Sequence, residues 1–120
     1  MTESRAALGR LGEDLAAEYL QGCGLRILDR NWRCGSGELD IVAIDNGVIV
    51  VCEVKTRRTD AFGQAVSAVD ADKARRLRRL AILWLRDRGV VGTPVRFDVV
   101  GVLISGRLPP VIDHREGVLA

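Results

Sequence analysis

Two β-rich segments joined by Asn46-Gly47 constrain the fold of this chain more than any other feature. The segments are residues 38–45 (ELDIVAID) and 48–56 (VIVVCEVKT), and both are rich in branched apolar side chains. Asn-Gly between two such segments is the strongest local signal of a two-residue β-hairpin loop. If these two residues form the loop, Asp45 pairs with Val48 and every opposed pair of residue numbers sums to 93. The sequence therefore predicts an antiparallel hairpin with a defined register.

That register places charged side chains opposite one another near the end of the hairpin. Asp40 is predicted to lie directly opposite Glu53. Glu38 is predicted to lie opposite Lys55, and all four side chains share one face because strand side chains alternate. Both faces are otherwise apolar, which predicts a central hairpin covered on each side. Two opposed carboxylates on a half-buried face repel each other and lose hydration, so a divalent cation is expected between them.

The expected cation is Mg²⁺ or Mn²⁺, which carboxylates hold together with water and substrate phosphate. Lys55 beside the carboxylates can balance charge, orient a water molecule or help to deprotonate it. This combination predicts metal-assisted hydrolysis of a phosphodiester. The structural alternative is that Glu53 and Lys55 are exposed strand charges, that Asp40 marks a turn, and that the charges only fix the hairpin register. Metal affinity distinguishes the two interpretations.

A second charged feature is concentrated in the segment 73–88. It contains seven basic residues and one acid, a local charge of +6 within a chain whose net charge is +2. Arg75, Arg79 and Arg86 fall on the side of the predicted helix opposite its apolar stripe. Such a face suits phosphate contact, with a solvated surface as the alternative. Lys73 lies near the stripe and either lays its stem along apolar surface or reaches the carboxylates. The stripe consists of Leu77, Leu80, Ala81 and Trp84.

The remaining segments predict helices and strands around the hairpin. Helical spacing of apolar residues predicts a first helix over 4–22 and a second over 66–89, each ended by glycine. The predicted strands are 25–33, 38–45, 48–56, 94–104 and a short one at 111–114. The order α-β-β-β-α-β-β predicts an α/β domain with a mixed central sheet flanked by helices.

Length and composition fit one soluble domain over residues 1–120. Apolar residues make up 48% and charged residues 28%, as in ordinary globular proteins. Three cysteines without a Cys-x-x-Cys spacing argue against a disulfide framework or a zinc site and favour a reducing cytoplasm. No apolar run has the length of a membrane span, and no secretory signal is recognisable, so no membrane partner is expected. His114, the only histidine, is predicted to lie on the surface.

The charged motifs of the hairpin resemble a known signature. Gly37-Glu38-Leu39-Asp40 followed by Glu53-Val54-Lys55 is similar to the PD-(D/E)xK motif of the restriction-endonuclease-like superfamily, without a proline before the aspartate. The chain as a whole resembles the YraN-type family of predicted endonucleases, which is similar in turn to archaeal Holliday-junction resolvases. The matching segments outside the hairpin are Gly12-Glu13, Asn31-Trp32-Arg33, Gly63-Gln64-Ala65, Lys73 and RFDVV at 96–100.

The resemblance implies a restriction-endonuclease-like three-layer domain and a role for each matching hairpin residue. Asp40 and Glu53 would bind the metal, with the backbone carbonyl of Val54 as a third ligand. Lys55 would position or activate the attacking water. These roles agree with the carboxylate pair and lysine that the hairpin register predicts.

Other matching residues are less firmly indicated by the sequence. Glu13 would complete the metal site from the first helix, but Glu13 and Glu18 both flank the apolar stripe and either can be a solvated charge. Glu38 either supports the site or forms an ion pair with Lys55. Gln64 would support the site or contact phosphate.

The expected function is therefore a Mg²⁺-dependent endonuclease acting on DNA, with branched DNA such as Holliday junctions as the substrate that the resemblance suggests. One chain of this size offers little surface for two duplexes, so a junction-acting form is expected to be a two-fold homodimer. The alternative is a non-catalytic DNA- or protein-binding module that retains the nuclease fold. Cleavage that is lost when Lys55 is replaced by alanine distinguishes the two.

Overall fold

The computed structural model describes residues 4–58, 70–106 and 108–119. Gln64, a predicted site residue, lies outside these ranges. Two helices and five strands follow one another in the predicted order α-β-β-β-α-β-β. The helices are α1 (Arg5–Gly22) and α2 (Ala71–Arg88), and the strands are β1 (Arg26–Cys34), β2 (Gly37–Asp45), β3 (Val48–Arg58), β4 (Val95–Ile104) and β5 (Val111–Arg115).

The start of α2 was predicted too early in the sequence. The expected helix began at residue 66, and residues 66–69 lie outside the described ranges. Asp70 has an extended backbone, and its side chain accepts a hydrogen bond of 2.8 Å from the backbone N–H of Lys73. An aspartate in this position is an N-cap, because its carboxylate satisfies an N–H that has no partner within the helix. The helix therefore begins at Ala71.

The strands form one mixed sheet in the order β1-β2-β3-β4-β5. All neighbouring strands are antiparallel except β3 and β4, which are parallel. Parallel neighbours need a crossover connection, and α2 lies in that connection. One face of the sheet packs against α1 and the other against α2. The described residues therefore form an α/β fold in which a five-stranded mixed sheet lies between two helices.

The hairpin register predicted from Asn46-Gly47 is confirmed. Its ladder runs from Asp45–Val48 to Ile41–Cys52, with opposed residue numbers that sum to 93 throughout. Both loop residues have positive φ, 49° at Asn46 and 81° at Gly47, as two-residue hairpin loops require. A correct register follows from a correct loop length.

The ladder ends one residue before the predicted carboxylate pair. Beyond Ile41–Cys52, β2 continues to pair only with β1, and β3 only with β4. Asp40 and Glu53 are therefore not ladder partners, and the predicted opposition of Glu38 and Lys55 was wrong. The ladder between β2 and β3 therefore has a gap at this end of the hairpin, although each strand stays paired with its outer neighbour.

Each face of the sheet carries its own apolar core. On the α1 face, Ala16 and Leu20 of the helix pack against Ile41, Val50 and Val100. On the α2 face, the helix packs against strand residues that include Val42 and Val51. The predicted apolar stripe of α2 is confirmed, since all four of its residues are buried: Leu77, Leu80, Ala81 and Trp84. Neither of the helices in the described ranges is both long and apolar enough to cross a membrane.

A buried aspartate network lies on the α1 face and corrects the prediction for His114. Asp98 is 1% exposed, and its carboxylate accepts hydrogen bonds from Arg96 Nε (2.9 Å) and from the Gly117 backbone N–H (3.1 Å). His114 Nε2 lies 2.8 Å from the same carboxylate, and the His114 ring meets the Tyr19 ring edge-on. His114 is therefore mostly buried, because β5 pairs with β4 and turns this side chain towards α1.

Candidate metal centre

The gap between β2 and β3 is closed by the side chain of Asp40. Its Oδ2 accepts a hydrogen bond of 2.8 Å from the backbone N–H of Val54. The ladder between the strands has ended, so the carboxylate takes the place of a strand partner for this N–H. Asp40 is half-buried here. A carboxylate is thereby held at the point where the two strands separate.

Burial and neighbouring charges raise the pKa of Asp40 from its usual value of 3.8 to about 7. Burial is the largest cause, and the hydrogen bond from Val54 opposes it. The negative charges of Glu53, Glu13 and Glu38 raise the pKa further. Four carboxyl groups from three elements thus lie near enough to this gap to interact electrostatically, and sequence reasoning placed only three of them on the hairpin. A cation in the gap would stabilise the ionised form of Asp40 against both its burial and the repulsion of its neighbours.

Glu13 reaches the site because α1 packs very closely on β3. A methyl group on Gly12 would lie only 1.8 Å from the Thr56 hydroxyl, so only glycine allows this approach. Glu13 is half-buried, and burial raises its pKa. A side-chain hydrogen bond with Asn31 partly offsets that rise. Glu18 is exposed, so of the two glutamates that the sequence left open, Glu13 is the one beside Asp40.

Sequence reasoning did not predict that Asn31 hydrogen-bonds with Glu13. The structure marks Asn31 by an unusual backbone conformation. Asn31 has φ 53° within strand β1, and the left-handed region is unusual for a non-glycine residue in a strand. The β1–β2 ladder includes Arg30–Ile41 and Trp32–Leu39 and passes over the pair between them, Asn31 and Asp40. The regular ladder is interrupted at both residues, and the Asp40 carboxylate accepts the Val54 N–H while Asn31 hydrogen-bonds with Glu13.

Glu53 faces the α2 side of the sheet, where it meets Lys73. Lys73 Nζ lies 3.1 Å from Glu53 Oε1, and both side chains are largely enclosed, at 24% and 21% exposure. Of the two positions left open for Lys73, the structure shows the one that reaches the carboxylates. Lys73 therefore lies at the carboxylate site, whereas the three arginines predicted with it to contact nucleic acid line a groove on the outer side of α2.

Lys55 lies two residues beyond Glu53 on the same strand face. Burial lowers its pKa, and the positive charge of Lys73 lowers it further, while Glu53 acts in the opposite direction. A lysine with a lowered pKa gives up its proton more readily than a solvated one. Two lysines from different elements thus flank one carboxylate on the α2 side, and the remaining carboxylates lie towards α1.

Glu38 forms its ion pair with Arg33 and not with the predicted partner. Arg33 Nε lies 3.2 Å from Glu38 Oε2, and the two residues are ladder partners between β1 and β2. Glu38 still contributes negative charge near Asp40. A cleft beside it is lined by Arg10, Asn31, Arg33 and the two glutamates Glu13 and Glu38. Arg10 was missed, and its position three residues before Glu13 on one helix is the signal that indicates it.

The donor set suits a hard divalent cation. Asp40 and Glu53 supply carboxylate oxygens, the ligand type that Mg²⁺ and Mn²⁺ prefer, and Mg²⁺ is commonly held by one or two carboxylates plus water and phosphate. Within residues 4–58, 70–106 and 108–119, no three His, Cys, Asp or Glu side chains are arranged around one ion position. Glu53 does not take part in such an arrangement because its carboxylate is turned towards Lys73. The residues therefore fit a two-carboxylate site that needs side-chain movement to form.

The predicted arginine face is present on the outer side of α2. Arg75, Arg79 and Arg86 are exposed and line one shallow groove. Arg75 also makes an ion pair of 3.3 Å with Asp72 on the same helix. The groove floor includes Ile82, whose side chain is half exposed. The helix that carries this face is the one whose first turn supplies Lys73 to the carboxylates.

Comparison with known proteins identifies the family. The model described as uncharacterised protein family UPF0102 matches residues 12–102. The chain belongs to the UPF0102 family. A UPF0102 protein of Streptomyces coelicolor is 56% identical over 119 residues, which cover 96% of this chain and 90% of the relative. One from Mycolicibacterium vanbaalenii is 55% identical over 117 residues, 98% of this chain and 97% of the relative.

A third UPF0102 protein is also similar to this chain over almost its whole length. A relative from Renibacterium salmoninarum is 46% identical over 115 residues, which cover 96% of this chain and 98% of the relative. The matched range 12–102 contains the carboxylates and both lysines of the site. The relatives' names state the family and no activity, so the function has to be argued from the site itself.

Proposed function

We propose that this UPF0102 chain is a Mg²⁺-dependent endonuclease that hydrolyses phosphodiesters in DNA, with Mn²⁺ as an alternative ion and branched DNA such as Holliday junctions as the substrate. The observation that carries the proposal is the half-buried Asp40, whose pKa is raised to about 7 beside three other carboxyl groups. Strongly perturbed titratable groups with defined charge partners are typical of functional sites. The match to the PD-(D/E)xK signature supports the same assignment.

Each residue of the site has a chemical task in this reaction. Asp40 and Glu53 would hold the cation, and the Val54 carbonyl would be the third ligand. A bound divalent ion polarises the phosphoryl oxygens and makes bound water a better nucleophile. Lys55 orients the attacking water and, with its lowered pKa, is suited to accept a proton from it. Glu13, whose charge acts on Asp40, would hold a water molecule beside the bound ion.

The arginine face provides the contact with the phosphate backbone. Arg86 lies thirteen residues after Lys73 on α2, a distance of roughly 20 Å at the helical rise. That distance corresponds to about six base pairs of duplex DNA. Arg75 and Arg79 lie between these positions and line the same groove as Arg86. A duplex along this face would reach the carboxylates at the beginning of the helix.

The finer assignments of fold, assembly and location belong to the same proposal. The order α-β-β-β-α-β-β, with a helix on each face of a mixed sheet, supports a restriction-endonuclease-like three-layer domain. The resemblance to the YraN-type family supports it as well. A two-fold homodimer is proposed for the junction-acting form, since two duplexes must be held together. The proposed location is the cytoplasm, where bacterial relatives would meet DNA.

A second candidate function is a non-catalytic DNA- or protein-binding module. The ion pair between Glu53 and Lys73 favours it, because an ammonium group already neutralises one of the two metal-binding carboxylates. In that case the arginine face would bind DNA without turnover.

Calorimetric titration of Mg²⁺ and Mn²⁺ into the wild type and Asp40→Asn tests the proposal. Asparagine keeps an oxygen that can accept the Val54 N–H, so the variant removes charge with little change in structure. The titrations are repeated with a four-way DNA junction and a linear duplex of equal length, whose strands are checked for cuts. Asp113→Asn, on the exposed part of β5, is the matched control.

Metal-dependent cleavage by the wild type and by Asp113→Asn, lost in Asp40→Asn and in Lys55→Ala, is the expected result. Preference for the junction over the duplex would support the branched substrate. Metal binding without cleavage would favour the binding module. Absence of metal binding, with or without DNA, would overturn the nuclease proposal and leave the charges a structural role.

A further inference from the structure

Building on the proposed function, we propose that Lys73 is the resident counter-cation of the metal centre. Its ammonium group neutralises Glu53 in the metal-free protein, and it must release that carboxylate before the carboxylate can bind a divalent ion. The released ammonium then stays beside the site and contacts the phosphate of the bound DNA. Lys73 is thus a positioning residue that opposes metal binding and favours substrate binding.

The geometry of the ion pair supports this assignment. Lys73 Nζ and Glu53 Oε1 are 3.1 Å apart, and more than three-quarters of each side chain is shielded from solvent. Screening by water and salt is weak for an enclosed pair, so the contact is stronger than an exposed ion pair. The pair connects the first turn of α2 to β3, at the strand position that the proposed function assigns to the metal.

The backbone of Lys73 is fixed, so only its side chain can move. Its N–H is bound by the capping carboxylate of Asp70 at 2.8 Å. The next residue, Ala74, is buried, and Leu77 anchors the following turn in the core. A lysine has four flexible methylene groups, so its charged end can leave one partner and reach another a few ångströms away. Exchange between Glu53 and a neighbouring phosphate therefore needs no movement of the helix.

Electrostatics require that one cation leaves when another arrives. A divalent ion on Glu53 would place two like charges within a few ångströms, where their repulsion is strong because the site is partly enclosed. Lys55 lies on the same strand as Glu53 and already faces the positive charge of Lys73. Lys73 comes from a separate element, α2, which also carries the arginine groove. DNA phosphate supplies the anion that compensates its charge after the exchange.

The decisive variant is Lys73→Met, which keeps the length of the side chain and removes its charge. We expect it to bind Mg²⁺ in calorimetry roughly fivefold more tightly than the wild type, the equivalent of one ion pair that no longer competes. The same variant should bind DNA more weakly in the presence of metal. A purely structural lysine would weaken both. Arg76→Met removes one exposed charge from the same helix, and it should leave Mg²⁺ affinity within about twofold of the wild type.

Because Lys73→Met could misfold, the same inference is also tested on the wild-type protein. The chain contains only two lysines, Lys55 and Lys73. Selective ¹⁵N labelling of lysine therefore gives two ammonium signals in NMR, and Lys73→Arg assigns them. Addition of Mg²⁺ should shift the Lys73 signal to that of a solvated ammonium, with the same midpoint as the calorimetric titration.

The outcomes separate this inference from the proposed function. If the wild type binds Mg²⁺ while the Lys73 signal does not move, or if folded Lys73→Met binds Mg²⁺ no more tightly, the counter-cation role is wrong and the nuclease proposal stands. If neither the wild type nor Lys73→Met binds Mg²⁺, both proposals fall. Tighter binding in Lys73→Met without DNA cleavage by the wild type would support the counter-cation and overturn the nuclease.

Discussion

Gly12 of α1 and Thr56 of β3 are in such close contact that a methyl group at position 12 would lie 1.8 Å from Thr56 Oγ1 and 2.8 Å from Thr56 Cβ. The contact sets the distance between the helix and the strand. It also decides where Glu13, the next residue along α1, stands relative to Asp40. One glycine thereby links the packing of the fold to the geometry of the carboxylate site.

Gly12→Ala is expected to destabilise the protein by about 1 to 3 kcal/mol, because the added methyl forces helix and strand apart in a packed interface. Metal affinity should fall as well, since Glu13 moves with the helix. Chemical denaturation and Mg²⁺ calorimetry measure the two effects. Gly9→Ala is the matched control, because position 9 has no atom within 4 Å of the added methyl, and alanine there should raise stability by up to about 1 kcal/mol.

A second-site change tests whether Thr56 is the cause of that destabilisation. Thr56→Gly removes all three clashing atoms, whereas Thr56→Ala leaves Cβ only 2.8 Å from the added methyl. Glycine should therefore restore more of the metal affinity of Gly12→Ala than alanine does. Equal losses in Gly12→Ala and Gly9→Ala would contradict the contact.

The stability of the metal-free protein should depend on pH through Asp40. Its pKa is about 7 in the folded state against a usual value of 3.8, so between these values the unfolded chain loses a proton that the folded protein keeps. Unfolding is favoured progressively as pH rises through this window, and above about 7 the loss is constant. Asp40→Asn removes the titration and should be more stable than the wild type at pH 8, by at most about 4 kcal/mol.

Thermal unfolding in EDTA from pH 4 to pH 8 measures this difference. Glu13, whose pKa burial also raises, contributes a slope of the same sign that remains in Asp40→Asn. Mg²⁺ affinity of the wild type should rise over the same pH range, because the carboxylate must lose its proton to bind metal. A wild type and an Asp40→Asn variant with parallel stability curves would rule out the raised pKa.

Asp98→Ala is expected to destabilise the fold by about 3 kcal/mol or more, because it leaves the charges of Arg96 and the ring of His114 without their buried partner. Asp113→Ala on the neighbouring strand removes only an exposed pair with Arg115 and should change stability by less than about 1 kcal/mol. Urea denaturation of both variants gives the comparison. Similar losses would mean that the network on Asp98 contributes little.

Replacing Arg75, Arg79 and Arg86 by alanine should weaken DNA binding and flatten its salt dependence. Each phosphate contact contributes about 0.9 to the slope of log affinity against log salt concentration, so the slope should fall by up to about 3. Binding to a fluorescent duplex between 50 and 200 mM salt measures it. The control is the double variant of Arg26 and Arg115, which are exposed elsewhere; its slope should match the wild type. An unchanged slope in the triple variant would remove the arginine face from the interface.

Local signals in the sequence were sufficient to predict the order of the helices and strands and the register of the hairpin. The Asn46-Gly47 loop predicted correctly every pair of the ladder from Asp45–Val48 to Ile41–Cys52, since a two-residue loop permits one register and both residues adopt positive φ. The apolar stripe of α2 followed from helical spacing alone. The predicted start of α2 at residue 66 lies outside the described residues, and the helix begins at Ala71 because Asp70, whose backbone is extended, caps it.

Residues that act between elements were not predictable by the same means. The hairpin ladder ends before Asp40, whose side chain accepts the Val54 N–H, and no local pattern in the sequence reports where it ends. Glu38 forms an ion pair with Arg33, its ladder partner on β1, which the hairpin register alone does not show. His114 was expected on the surface, yet its environment depends on Asp98, sixteen residues earlier in the chain.

The sequence by itself determined the order of the elements, the register of the hairpin and the charged residues available for chemistry, because these depend on spacing within one segment. Only the tertiary structure decided which of those residues meet. It brought Glu13 to Asp40 through the Gly12 contact, and it turned Lys73 onto Glu53 from across the α2 side of the sheet. Contacts of this kind depend on how a helix packs on the sheet. That packing is set by the side-chain shapes of both elements together and not by either segment alone.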